Sequence, residues 1–165
     1  MILPHLEPAE IPQIWHCLQQ ISDPELPALS ITDLGMVRKV ERDGDGWRII
    51  FTPTYSGCPA SEFLQDAIKQ RLAAAGFSPV TVAIRLDPAW TTDWMNADAR
   101  ARLRAYGVAP PQGHTCDRPD SHGPVQCPRC GSDNTEKISE FGSTACKALY
   151  RCCACREPFD YFKCI

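Results

Sequence analysis

Ile11, Ile14, Trp15, Leu18 and Ile21 recur at the spacing of one helical face, and the two prolines of "SDPELP" at residues 22–27 end the run. The stretch "MVRKVERDGDGWRIIFTP", residues 36–53, changes period: Trp47, Ile49 and Phe51 alternate, and the glycines before them mark a turn, which predicts a β-hairpin. Helical spacing returns with Phe63, Leu64, Ala67, Ile68, Leu72 and Ala75, and Gly76 ends it. Val80, Val82, Ile84 and Leu86 then alternate as a third strand. A last helix is predicted within "TTDWMNADARARLRAYG", residues 91–107, with Thr92 as its candidate N-cap. Helices on one face of a short sheet bury all these stripes, so the expected fold class is α+β, a small sandwich.

The periodicity stops at "GVAPPQGHTCDRPDSHGPVQ", residues 107–126, where proline and glycine crowd together. The expected organisation is therefore an α+β domain over residues 1–107, a linker or extended strap over 108–125, and a second unit over 126–165.

Composition narrows the setting. Hydrophobic residues are 44% and charged residues 22%, the balance of a globular protein, and the net charge of -3 carries no basic block for nucleic acid or an anionic membrane. The first residues, "MILPHLEPAE", lack the basic-then-apolar pattern of a secretory signal, and no apolar run is long enough to span a bilayer, so a cytoplasmic location is expected. In that compartment thiols stay reduced, so the ten cysteines are expected to be ligands, nucleophiles or core fillers rather than a disulfide framework.

Cys58 stands in "TPTYSGCPASEF", residues 52–63, directly before Pro59. Proline suits the first turn of a helix, so the thiol is placed where free N–H groups and the helix dipole favour a thiolate. Cys58 is the candidate reactive thiol; its alternative role is a small buried residue closing the loop. Asp23, Glu25, Asp33, Thr52 and Thr54 lie in loops or at element ends where they could converge on it, and carboxylate, hydroxyl and thiolate together could hold an iron ion or a cluster transiently. Asp23 and Asp33 have a simpler reading as caps of turns. His5 and His16 offer no evident base for the thiol.

The second unit has the more specific signal. Cys127-x-x-Cys130 and Cys152-x-x-Cys155, separated by residues 131–151, have the two-knuckle spacing of a four-cysteine, zinc-ribbon-like β unit. Roughly 40 residues bury too little surface to fold unaided, so the metal is expected to supply the missing stability. Zinc is the first choice, with a single iron or an iron-sulfur cluster as alternatives. Cys153 could replace Cys152, Cys146 is core packing or a spare ligand, and Cys116 with His114 and His122 could make a further site, while Cys164 has no assigned part.

"SDPELPALSITDLGMVRKV" followed by "TPTYSGCPASEFLQDAIKQRL" resembles the carrier-like domain of the iron-sulfur assembly family. With "LDPAWTTDWMNADARARLRAYGVAPP" and the cysteine-rich end, nearly the whole chain is similar to the family of D subunits of bacterial phenylacetyl-CoA ring 1,2-epoxidase systems. That resemblance implies an accessory or maturation role in aerobic phenylacetate catabolism. It implies partners among the other epoxidase subunits, a di-iron oxygenase and a reductase carrying flavin and an iron-sulfur cluster. The residues agree that the oxidation happens elsewhere: no Glu-x-x-His and no G-x-G-x-x-G occurs in the chain. The alternative is a cysteine-dependent enzyme that uses Cys58 as nucleophile with the ribbon as scaffold. Oligomeric state is not legible in the sequence.

Overall fold

In the computed structural model, which describes residues 9–112 and 123–164, the first core is built on helix α2 (Ala60–Ala74). Ala60, Leu64, Ile68 and Leu72 recur every four residues and are all buried. Each of the three larger side chains contributes about 1.5–3 kcal/mol by leaving water. Helix α1 (Ile11–Leu18) packs against α2 and buries Ile14 and Leu18. Beneath them lies a sheet of β1 (Val37–Asp43), β2 (Gly46–Phe51) and β3 (Val80–Ile84), in that order. The β1–β2 hairpin is antiparallel and closes with Asp43 opposite Gly46, the turn using Gly44 at φ +59°, a left-handed conformation that favours glycine. β3 runs parallel to β2, with α2 as the crossover.

Three expectations about single residues need correction. β3 stops at Ile84, and Ile84 and Leu86 are exposed, because β3 is the sheet's edge strand. Phe63 is 60% exposed, since it sits one position off the four-residue stripe of α2. Thr92 does not cap the last helix: it is buried in a single 3-10 turn, Thr92–Trp94. Asn96 caps α3 (Ala97–Tyr106) instead, its side chain accepting the Ala99 N–H at 2.7 Å.

The proline-rich stretch begins as structure. β4 (Val108–Ala109) adds in parallel to β7 (Pro158–Phe162), and the second sheet runs β4-β7-β6-β5, with β5 at Thr135–Ser139 and β6 at Lys147–Cys152. The two sheets share apolar contacts. Cys146, Phe162 and Val108 belong to the buried cluster that holds α2, and the ring of Phe162 lies 6.0 Å from that of Trp90. Trp90 is held in turn by its indole N–H donating to the Leu34 carbonyl at 2.7 Å. A smaller cluster, including Val125, Phe159 and Tyr161, fills the ribbon itself. Among the described residues no helix is long and apolar enough to cross a membrane.

Candidate metal centre and the Cys58 loop

Two knuckles bring four distant thiols together. Cys127 opens the first, where the Gly131 N–H returns to the Cys127 carbonyl at 3.0 Å and Gly131 takes φ +75°. Cys152 ends β6 and opens the second, where the Cys155 N–H reaches the Cys152 sulfur at 3.4 Å and Arg156 takes φ 63°. The Cys153 N–H donates to the Asn134 carbonyl at 2.8 Å and so ties one knuckle to the other. The four Sγ atoms all lie within 4.8 Å of one another.

The donor set fits one metal ion. A tetrahedron with metal–sulfur bonds of about 2.3 Å has edges of about 3.8 Å. Cys127 and Cys155 stand 3.8 Å apart, and Cys130 and Cys152 stand 3.5 Å apart. Four sulfurs this close cannot all carry charge without a cation. The Cys155 N–H, with help from Ala154 and the neighbouring thiols, holds the Cys152 thiol down to about 7. The Glu157 N–H favours the Cys155 thiolate, yet burial and the three other sulfurs outweigh it and push that thiol up to about 12. A divalent ion removes this conflict. Cys153 is exposed and stands outside the group.

The other candidates lie in the loops of the first unit, outside its helices and strands. Cys58 is buried and precedes Pro59, the N-cap of α2. The thiolate expected at this helix start is not favoured. Burial pushes the Cys58 thiol up, and the charges of Glu25 and Asp23 add to it, against the Ala60 N–H and the Thr54 hydroxyl, which pull it down. The helix end is present, but desolvation and two carboxylates outweigh it.

Asp23 organises its own loop, accepting the N–H groups of Glu25 at 2.8 Å and Leu26 at 2.9 Å, and burial raises its pKa despite these bonds. The expectation that Asp33 converges on Cys58 needs correction, because its bonds run elsewhere. It accepts from the Ser30 N–H and hydroxyl and pairs with Arg102 at 2.7 Å. Burial works against its charge, and these partners overcome it and hold its carboxyl below the ordinary value. Thr52 is buried, and among the described residues its hydroxyl has no hydrogen-bond partner.

Sequence reasoning leaves three participants open or unnoticed, the first two Cys146 and Lys147. Cys146 is buried, its thiol donating to Glu25 Oε2 at 3.4 Å, and burial pushes it up to about 11. Lys147, also buried, donates to the Glu25 carbonyl at 2.8 Å. Neither carries a spacing signal, because each is 121 residues or more from Glu25. Tyr55 has a local signal, since it lies within "TPTYSGCP"; burial, then the Cys58, Glu25 and Cys146 charges, push its hydroxyl up to about 12. Cys164 is disulfide-bonded, which departs from the expectation that the thiols stay reduced. His5, Cys116, His114 and His122 lie outside the described residues.

Comparison with known proteins matches two parts of the chain to two families. Residues 12–84 match the family described as "Iron-sulfur cluster assembly protein", and residues 111–163 match the "PaaD zinc beta ribbon domain". A protein of Escherichia coli (strain K12), named as the D subunit of 1,2-phenylacetyl-CoA epoxidase, is 62% identical over 97% of this chain and 96% of its own. A crystal structure of a domain of unknown function, DUF59, from Bacillus anthracis superposes with a TM-score of 0.52 at 26% identity, covering 56% of this chain and 89% of that one.

Proposed function

This chain belongs to the family of 1,2-phenylacetyl-CoA epoxidase D subunits, and from that membership we propose that it is an accessory, maturation subunit of a multicomponent epoxidase. It works in the cytoplasm in aerobic phenylacetate catabolism and assists delivery of iron or an iron-sulfur cluster to the oxygenase or reductase subunits, or their assembly. The observation that carries the reading is the environment of Cys58, a buried thiol whose thiolate is disfavoured by burial and by the charges of Glu25 and Asp23. A nucleophile needs its thiolate ready; a metal ligand needs only to lose its proton when the metal arrives. That same environment counts against the cysteine-dependent enzyme. The pairing of an iron-sulfur assembly unit with a zinc ribbon supports the delivery reading.

Residues 126–165 serve as the folding and docking unit, with one zinc held by Cys127, Cys130, Cys152 and Cys155. Sulfur–sulfur distances of 3.5 and 3.8 Å support a single ion, since a cluster places several irons and sulfides between its thiolates and spreads them further. Residues 1–107 form the carrier-like unit with Cys58.

In cells growing on phenylacetate, Cys58→Ser should leave this chain folded with one zinc, while the oxygenase purified from those cells carries less iron and less activity. Iron content at the wild-type level would remove Cys58 from the function. Oxidation of phenylacetyl-CoA by the isolated chain would replace the accessory reading with an enzyme.

A further inference from the structure

We propose that the free edge of β3 and the cavity at its end dock the client, taking an extended, uncharged segment of the oxygenase as a fourth strand with one aromatic side chain seated in the cavity. The inference rests on the reading of Cys58 given above and adds how the client is held beside that thiol. β3 pairs on one side only, with β2. The Trp47 N–H donates to the Pro79 carbonyl and the Arg85 N–H to the Phe51 carbonyl, so Pro79, Thr81, Ala83 and Arg85 turn their peptide groups toward β2. The N–H and C=O groups of Val80, Val82 and Ile84 therefore point outward from the edge of the sheet, and among the described residues no strand meets them.

Sheet edges are ordinarily guarded, and the two edges of this sheet differ. β1, on the far side, consists mostly of charged residues and has a register shift between Val37 and Lys39. β3 carries no charge and no internal proline over Val80–Ile84, and its register runs unbroken. An uncharged strand adds there without burying a charge, and outward peptide groups are matched by another peptide rather than by a small molecule. A second copy of this chain is the poorer occupant. Antiparallel pairing of two β3 strands brings each copy's Phe77 toward the other's cavity, and that ring already packs edge-on against Trp47 at 6.3 Å.

The cavity supplies the anchor site. Leu86, just past the end of β3, lines it with Ala89, Trp90, Thr52, Thr54 and Tyr55, and its volume is about 250 Å³. Its apolar walls suit a ring. The Thr52 hydroxyl, buried and without a partner among the described residues, suits a polar tip such as that of tyrosine. A second cavity, of about 650 Å³, shares Pro53, Ser56 and Leu86 with the first and is lined by Ile84 and Cys58. The end of β3 thus forms a wall of the cavity that reaches Cys58. A segment laid on this edge brings its own metal-receiving side chains to the thiol, and the anchor in the smaller cavity fixes its register.

The test follows amide hydrogen exchange, residue by residue, in the full chain with zinc in the ribbon, alone and with metal-free oxygenase. In the free chain the N–H groups of Val80, Val82 and Ile84 should exchange quickly, and those of Thr81, Ala83 and Arg85 slowly. The oxygenase should slow the first three by at least about tenfold, the effect of roughly one hydrogen bond or more at each. Val82→Pro removes an outward N–H and no bond to β2, and should weaken oxygenase binding by about tenfold. Ile84→Lys, at an exposed position, should do the same and serves should Val82→Pro fold poorly. Thr52→Val should weaken binding about fivefold and leave the free chain no less stable, because the hydroxyl it removes has no partner there. Oxygenase bound with the three amides unprotected, and equally well by Val82→Pro and Ile84→Lys, would overturn the docking edge and leave the Cys58 reading standing. A dimer of this chain with those amides already protected would give the edge to a second copy and overturn the client segment. No binding of the oxygenase by wild type would overturn both this inference and delivery to that subunit.

Discussion

Replacing Cys127 or Cys152 by serine should empty the ribbon of metal and unfold residues 126–165. Structural zinc in units of this kind contributes about 10–16 kcal/mol of apparent binding energy at neutral pH, far more than so short a segment gains from its own core. Both residues are fully buried, so the serine hydroxyl meets a site with no room for compensation by water. The first core should survive at a lower midpoint, since Cys146 and Phe162 leave its cluster while Leu64, Ile68, Leu72, Ile49 and Phe51 still pack on one another. Limited proteolysis checks this: a fragment close to residues 9–107 should persist while the ribbon is digested. A metal-free ribbon that resists protease as wild type does would contradict the account, and full metal in Cys152→Ser would move the ligand to Cys153.

Phe162→Ala should have the second-largest effect, about 3–5 kcal/mol of stability by analogy with other buried aromatic truncations. Phe162 is fully buried, stands opposite Lys147 in the β6–β7 ladder and touches Trp90 across the seam. Its loss removes the ring that joins the two sheets. Denaturant unfolding should show a lower midpoint, and Cys146 and Cys58 should become alkylatable under native conditions as the seam opens. A midpoint shift within that of an ordinary surface change would mean that the seam is not part of the folded core.

Much of this architecture is legible in the sequence because it depends on local spacing. The α2 stripe, the β1–β2 hairpin and the two cysteine knuckles each follow from residues within a few positions of one another. What is not legible depends on what packs on top. Leu86 and Phe63 continue an apolar pattern, yet among the described residues nothing covers the edge of β3 or that side of α2. Val108 and Ala109 are too short a strand to show a period, and they pair only because β7 returns beside them. Cys58 does stand at a helix start, as its proline implies, but its pKa direction comes from burial and from Glu25 and Asp23, which sequence cannot weigh. Cys146 and Lys147 reach the Glu25 loop only through the tertiary fold. The turn-capping readings of Asp23 and Asp33, by contrast, need only neighbours two or three residues away, and the hydrogen bonds have that range.

The central claim is that this chain passes metal to an epoxidase subunit through Cys58. The direct measurement loads the full chain with isotopically labelled iron(II), mixes it without oxygen with metal-free oxygenase in the presence of a competing chelator, and counts label on the re-isolated oxygenase. The account predicts label on the oxygenase from wild type despite the chelator, and almost none from Cys58→Ser with its ribbon zinc intact. Equal label from wild type, from Cys58→Ser and from free iron(II) would contradict it.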